Sequence, residues 1–327
     1  MGQKKFTLLK GCEGFGDRLQ CLLQAIEYSE VTGRTLVVDW RDEHWCHEDG
    51  KGFDNYFEIE GMETMKIEDF IKVFRERGME CMPAPWGESW HHKNEISKCY
   101  KREYMEEGKN ETWRKIINGE QKDFGEEIVI HTGTGARSCN ADYCRRLRLK
   151  EYIIREIRTH ARQKLINKGE YACMHLRGGS KHFCGARTNN MKAHIEMIKK
   201  WPTLTSYLDY LEKKFRETSE ISNENRLLIV SDVEKLAESM KRRYSHAEII
   251  KHSCSSYFEE TGVHMIRENI GVAKEKIIKE TIRDFNLMLN SKVIISDGSS
   301  LYSNMAKRIQ RKGITLVELP ENTKNQK

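Results

Sequence analysis

The chain opens on a strand-length apolar run, a glycine-marked turn, a helix-length amphipathic stretch and a second apolar run, and few folds accept that order. Lys5 to Leu9 is the first run, Gly11, Gly14 and Gly16 mark the turn, and Asp17 is placed to cap a helix. Leu19, Leu22, Leu23 and Ile26 recur at i, i+3, i+4 and i+7, so one apolar stripe lines that helix, and Gly33 supplies its stop. Thr35 to Asp39 follows as a buried strand. Two strands joined by a helix are parallel, and this βαβ opening is the unit of an α/β sheet.

The second half repeats the rhythm. Apolar strands are expected at Tyr171 to Leu176, Arg226 to Ser231, Ala247 to Ile250, Lys292 to Ser296 and Ile314 to Val317. Helical patterns at Leu204 to Phe215, Val233 to Tyr244, Ala273 to Asn290 and Ser299 to Arg311 supply the crossovers of a doubly wound, largely parallel sheet. Between Trp40 and Gly125 the pattern blurs into short helices, aromatic residues and charged loops, read as insertions over one end of the first sheet. Glu127 to His131 restores a strand, and a helix from Glu151 to Lys168 ends at Gly169. A chain of 327 residues suits two α/β domains, with the boundary expected at Gly169, giving residues 1–169 and 170–327.

Composition narrows the class. Hydrophobic residues at 38% support a real core, whereas 32% charged residues and a mean hydropathy of -0.72 argue against a membrane protein. No segment approaches the ~20 apolar residues of a membrane span, so no stable membrane insertion is expected. Met1 to Lys10 lacks the apolar core of a secretory signal, Phe6 stands where a myristoylation motif needs Ser or Thr, and a cytoplasmic location is expected. The 10 cysteines contain no CxxC pair and read as reduced thiols. Cys139 and Cys144, and the stretch Trp90-His91-His92, lack zinc spacing, so no metal is expected.

A net charge of +6 admits a nucleic acid, an anionic membrane or an anionic small ligand. The densest basic run, Arg145, Arg146, Arg148, Lys150, Arg155 and Arg158, is interrupted by Glu151 and Glu156 at helical spacing and reads as a solvated helix face. A noncatalytic, nucleic-acid-binding basic protein is the competing reading from another class; the reading adopted here expects no nucleic-acid partner.

Ligands of doubly wound sheets bind at the carboxyl ends of the strands, and three such ends carry polar residues that packing alone does not require. His175-Leu176-Arg177-Gly178-Gly179-Ser180 follows an apolar strand. Arg offers bidentate donors and glycine admits close backbone approach, which suits a diphosphate, although a turn with a surface Arg fits the same residues. Ser296-Asp297-Gly298-Ser299-Ser300 runs from a strand into a helix, where Ser299 or Ser300 is either an ordinary cap or part of a phosphate site at the helix N-terminus. Asp232, after Val230-Ser231, is placed to bind a ribose hydroxyl or to cap the next helix. The Gly-x-x-Gly-x-Gly order of Gly11 to Gly16 reverses the dinucleotide fingerprint and no GK[ST] follows, so neither NAD nor a P-loop nucleotide is supported. No Asp-x-Asp pair is present to hold a metal on a donor diphosphate, so Arg and helix N-termini must neutralise a leaving diphosphate.

At these residues the chain resembles the fucosyltransferase superfamily that joins the nodulation fucosyltransferases, the α1,6-fucosyltransferases of N-glycan cores and the protein O-fucosyltransferases. Gly14-Phe15-Gly16-Asp17, with Thr32 to Arg41 after the helix, is similar to the nodulation enzymes' opening; His175-x-Arg177 resembles the H-x-R diphosphate motif; Ser231-Asp232 and Asp284 with Ser296 to Ser300 resemble the second and third motifs. The resemblance implies an α/β, GT-B-like fold of two facing Rossmann-like domains, the first on the acceptor side and the second binding GDP-fucose. It implies inverting transfer to a glycan hydroxyl with no cofactor beyond the donor substrate, or transfer from another GDP-sugar. Arg177 would take the β-phosphate and carry catalysis; Gly178, Ser299 and Ser300 would add phosphate contacts; His175 and Asp284 would lie beside the guanine; Asp232 would approach the nucleoside; Gly14 and Gly16 would line the donor. The protein and N-glycan enzymes carry an acidic residue three positions after the motif Arg, where this chain has Ser180, so the general base is unassigned, with Asp17 and His182 as candidates. Trp86 and Trp90 either stack on acceptor sugar or are packed.

Overall fold

The computed structural model describes residues 4–11, 14–42, 45, 52–82, 123–132, 139–178, 191–218, 226–253 and 272–321. The chain divides into two compact units, Met1–Lys150 and Glu151–Lys327, so the boundary falls one helix before Gly169.

In the first unit, β1 (Phe6–Lys10) leads into α1 (Phe15–Thr32) and then β2 (Thr35–Asp39), paired in parallel with Phe6 opposite Thr35. Leu19, Leu22, Leu23 and Ile26 are all fully buried, as the stripe requires, and Gly33 takes the left-handed φ of 68° that closes the helix. The start differs from the sequence reading. Gly14 is the N-cap and Asp17 lies inside the first turn, where its charge complements the helix dipole instead of capping. The blurred region contributes β3 (Phe57–Ile59), β4 (Thr64–Met65), α2 (Ile67–Arg77) and β5 (Cys81–Met82) before β6 (Ile128–Thr132). All strands of the five-stranded sheet pair in parallel in the order β4-β2-β1-β6-β5, while β3 pairs antiparallel with β7 (Leu147–Leu149).

The second unit begins with α3 (Glu151–Gln163) and β8 (Tyr171–Leu176), followed by α4 (Met191–Lys200), α5 (Leu204–Glu217), β9 (Arg226–Ser231), α6 (Glu234–Arg243), β10 (Glu248–Ile250), α7 (Lys274–Asn290), β11 (Val293–Ser296) and α8 (Leu301–Gln310). Its parallel sheet runs β10-β9-β8-β11. Alternate strand residues Ala172, Met174, Leu176, Leu227 and Ile229 pack with Tyr207, Leu211 and Phe215 of α5 and with Leu236 and Met240 of α6 into one core. The strand expected at Ile314 to Val317 is absent. Two asparagines of α7 take the place of a partner strand: Asn286 Nδ2 donates to the Val317 carbonyl at 3.0 Å, the Val317 N–H donates back at 2.8 Å, and Asn290 holds Val317 and Leu319.

The basic run is not one helix face. Arg145 and Arg146 lie in a short 3-10 helix, Arg148 in β7, and Arg155 and Arg158 on α3. Arg146 pairs with Glu30, Arg148 with Glu60 at 2.8 Å and Lys150 with Glu58, so carboxylates offset three of these cations. No helix among the described residues is long and apolar enough to cross a membrane.

Candidate active site

The second sheet reverses its winding at β8. The chain passes from β8 outward to β9 and β10, then returns to place β11 on the other side. Such a switch point opens a crevice at the carboxyl ends of the two strands between which the order reverses, here β8 and β11. The strand end His175-Leu176-Arg177 enters it from one side and Ser296 to Ser300 from the other, with Ser296 in register with His175.

Arg177 stands one residue beyond β8 with 20% of its side chain exposed. Its Nη1 donates to Asp232 Oδ2 at 2.5 Å, and the Gly178 N–H donates to Asp232 Oδ1 at 2.6 Å. Asp232 therefore does not cap α6, whose N-cap is Val233 without a side-chain bond; it clamps the loop that carries Arg177. Gly178 is required by packing, since a Cβ there would lie 2.4 Å from Val233 Cγ2. The Arg177 N–H donates to the Tyr207 hydroxyl at 3.2 Å, and that phenol also hydrogen-bonds Asp297 after β11. Side chains from both neighbouring strand ends thus fix the backbone at Arg177.

His175 is buried, and its Nδ1 has no hydrogen-bond partner among the described residues. Burial pulls its pKa down, the pull of Asp232 in the other direction is too weak, and the Arg177 cation adds to the decrease, leaving a value of about 4. The imidazole is neutral at pH 7. Tyr302 of α8 lies 5.5 Å from the His175 ring and donates to the Thr281 carbonyl at 2.6 Å. Asp284, on α7, is buried against Arg283, whose Nε donates to Oδ1 at 2.8 Å; burial outweighs that cation and His252, so the carboxyl is shifted upward.

The helix entry after β11 is only partly as the sequence suggested. Ser299 spends both its N–H and its hydroxyl on Asp297, at 2.8 Å each. Ser300 is the N-cap of α8 but its side chain makes no cap bond, so its hydroxyl does not take up a first-turn N–H. Gly298 adopts φ 80°, a left-handed turn that Cβ-bearing residues rarely enter. Beneath it, Lys307 Nζ donates to Ser296 Oγ at 2.8 Å and Lys214 Nζ to the Ser296 carbonyl at 3.2 Å. Burial, then Lys214 and Arg311, bring the Lys307 ammonium down to about 8.

In the first unit, Gly14, Gly16 and Asp17 follow β1, the strand from which that sheet reverses toward β6. Beside them lie ion pairs that the sequence reading passed over. Lys10 and Arg41 both bind Asp39, the latter at 2.8 Å, and Arg18 is bidentate to Asp42 at 2.7 and 2.8 Å, with Trp40 and Trp45 about its guanidinium. Burial opposes ionisation of Asp39, but the two cations prevail and hold its pKa at about 2. Gly11 permits this packing, because a Cβ would meet Trp40 at 2.1 Å.

Tyr207, Asp297, Lys214 and Lys307 were likewise missed. Asp297 had a signal, as the carboxylate at a strand end; Tyr207 reads as core from its helical spacing, and the role of Lys307 depends on tertiary contact. Ser180, His182, Trp86, Trp90, His91 and His92 lie outside the described residues. Among the described residues no three His, Cys, Asp or Glu side chains converge as a metal site.

No protein-family model and no curated protein sequence matches the chain. Among solved structures, NodZ alpha-1,6-fucosyltransferase soaked with GDP-fucose superimposes with a TM-score of 0.62 at 14% identity, over 94% of this chain and 93% of that one. The fold is that of the fucosyltransferases. The apo form of POFUT1 gives 0.52 at 11% identity over 98% of both chains, and Arabidopsis thaliana FUT1 in complex with GDP gives 0.50 at 12% over 95% and 69%. The GT-B-like α/β class expected from the sequence therefore stands, and in this fucosyltransferase fold the β8–β11 crevice is the switch point of the second unit.

Proposed function

We propose that the chain transfers fucose from GDP-fucose to a glycan hydroxyl, with inversion and without a metal ion, holding the donor on its second unit and the acceptor on its first. One observation carries this reading: the switch point between β8 and β11 gathers a pinned, part-exposed Arg177 and a helix N-terminus whose cap residue makes no side-chain cap bond. Both are donors for diphosphate oxygens. NodZ structures with GDP-fucose and with GDP add support through the shared fold.

In the reaction the acceptor oxygen attacks the anomeric carbon, the bond from that carbon to the β-phosphate oxygen breaks with its electron pair going to GDP, and the acceptor proton passes to a base. Negative charge grows on the β-phosphate, where Arg177 and the α8 N-terminus stabilise it without reorganising. Asp232 acts by fixing Arg177, since its two oxygens hold Arg177 and Gly178. The neutral imidazole of His175, together with Asp284, lies toward the guanine, and Asp17 is the proton acceptor or acceptor-positioning carboxylate of the first unit.

The test is thermal unfolding with GDP, UDP or NAD in EDTA. GDP alone is expected to raise the melting temperature, by about 2.7 kcal/mol of added stability at a hundredfold excess over Kd. Equal protection by UDP, or loss of protection in EDTA, overturns the reading, and turnover of GDP-mannose in preference to GDP-fucose replaces the sugar.

A further inference from the structure

A groove of about 440 Å³ lies between α3 and α7, apart from the β8–β11 crevice. Tyr152, Arg155, Glu156 and His160 line it at i, i+3, i+4 and i+8, which is one face of α3, while Ile153, Ile157 and Ala161 turn the opposite face into the core. Arg283 of α7 forms the other wall.

The polar groups of this groove are incompletely used. Arg155 makes no ion pair among the described residues. Arg283 directs Nε to Asp284 and Nη2 to Asp284 and the Lys251 carbonyl, so its Nη1 is uncommitted among the described residues. Glu156 does not neutralise the two guanidinium groups, because Lys279 takes it at 3.3 Å, with its ammonium 5.0 Å over the Tyr152 ring. The fourth group is His160, whose Nε2 is buried without a hydrogen-bond partner among the described residues. Burial, then Arg283 and Lys164, hold that imidazole at about 4 against the opposite pull of Glu248 and Glu280, so it is neutral at pH 7.

We propose that this groove is an ancillary binding site for a phosphorylated monosaccharide. Two guanidinium groups on facing walls match a phosphate, which accepts several charge-assisted bonds at once. A neutral imidazole nitrogen matches a hydroxyl, which donates or accepts as the tautomer requires. The volume exceeds what an inorganic phosphate fills and falls in the range of small-molecule sites. Tyr152 is 38% exposed, and its ring face opposite the Lys279 ammonium offers a surface for a sugar ring. The inference does not depend on the proposed transfer reaction.

The experiment follows the ring C–H resonance of His160, assigned by its loss in His160→Gln, during titration with glucose 6-phosphate, inorganic phosphate or glucose at constant ionic strength. Glucose 6-phosphate is expected to shift it saturably and to bind more tightly than phosphate, with no shift from glucose. Arg155→Gln should weaken that binding about tenfold or more, the size of one charge-assisted bond, while the melting temperature and the effect of GDP on it stay as they were. No saturable shift, equal affinity for phosphate and glucose 6-phosphate, a shift at His175 in place of His160, or unchanged affinity in Arg155→Gln would each overturn the proposal.

Discussion

At the carboxyl edge of the first sheet the cations are turned inward: the Lys10, Arg18 and Arg41 side chains are 2%, 0% and 8% exposed, each against a carboxylate. At the same edge of the second sheet Arg177 keeps 20% of its side chain in solvent, and α8, after the neighbouring β11, begins without a side-chain cap bond. Both edges follow the same rule, that polar residues collect where parallel strands end. The difference lies in what the charges are used for. Buried ion pairs that already satisfy one another hold a strand end in shape, here the ends of β1 and β2, whereas a clamped but accessible guanidinium retains donors for a ligand.

The largest effect expected from breaking that contrast is on the stability of the first unit. Asp39→Asn leaves the buried Lys10 and Arg41 without their shared carboxylate, at a cost of about 3–5 kcal/mol in urea unfolding. Because the folded pKa of Asp39 lies below its ordinary 3.8, its contribution is present above that value and lost as pH falls through about 2. A loss under about 0.5 kcal/mol, the size of a neutral surface change, would show that these ions do not hold the unit together. Arg177→Lys is the complementary change. Lysine keeps the charge but not the planar fork, so the variant should fold, bind GDP weakly and transfer fucose roughly 10²-fold more slowly or worse, as for one lost preorganised donor. A near-native rate would remove Arg177 from the chemistry.

Much of this framework was legible in the sequence because it rests on local periodicity. The burial of Leu19, Leu22, Leu23 and Ile26, the left-handed stop at Gly33, and the strands Thr35–Asp39, Tyr171–Leu176 and Arg226–Ser231 follow from patterns within one element. The failures occurred where the partner is distant in the chain. Ile314 to Val317 has the composition of a strand, but its backbone groups are taken by Asn286 and Asn290, which no periodicity announces. The site divides in the same way. His175, Arg177 and the Ser296 to Ser300 turn could be placed at strand ends, but Ser299 proved bound to Asp297 and Asp232 to Arg177, because side-chain pairing across strand ends depends on register.

A smaller effect should appear in acid. His175 has a folded pKa of about 4 against an ordinary 6.5, so the unfolded chain binds its proton first. The stability this histidine gives is complete above pH 6.5 and declines toward pH 4, by about 2 kcal/mol between pH 7 and 5. His175→Asn should flatten that part of the stability curve, measured as urea midpoint against pH. The slope that remains includes His131 and His160, also held low by burial, at about 3 and about 4, and His252, which burial likewise shifts down. An unchanged slope would mean that His175 is solvated and that the crevice is wetter than its burial indicates.

The smallest effect on stability is expected at Asp17, and it separates structure from chemistry in the first unit. Its place in the first turn of α1, after Gly14 rather than at the cap, gives it a favourable dipole interaction of about 0.3–1 kcal/mol, which Asp17→Ala removes. If Asp17 takes the acceptor proton or holds the acceptor oxygen, the same change lowers kcat while leaving GDP protection intact, because the proposed donor site lies on the other unit. Asp17→Asn sharpens the distinction. It keeps the shape and a hydrogen-bonding oxygen but removes basicity, so a positioning role predicts substantial rescue and a proton-accepting role predicts none. Native kcat in Asp17→Ala, with only the small stability loss, would leave the first unit's edge as structural as its ion pairs and require the base to come from elsewhere.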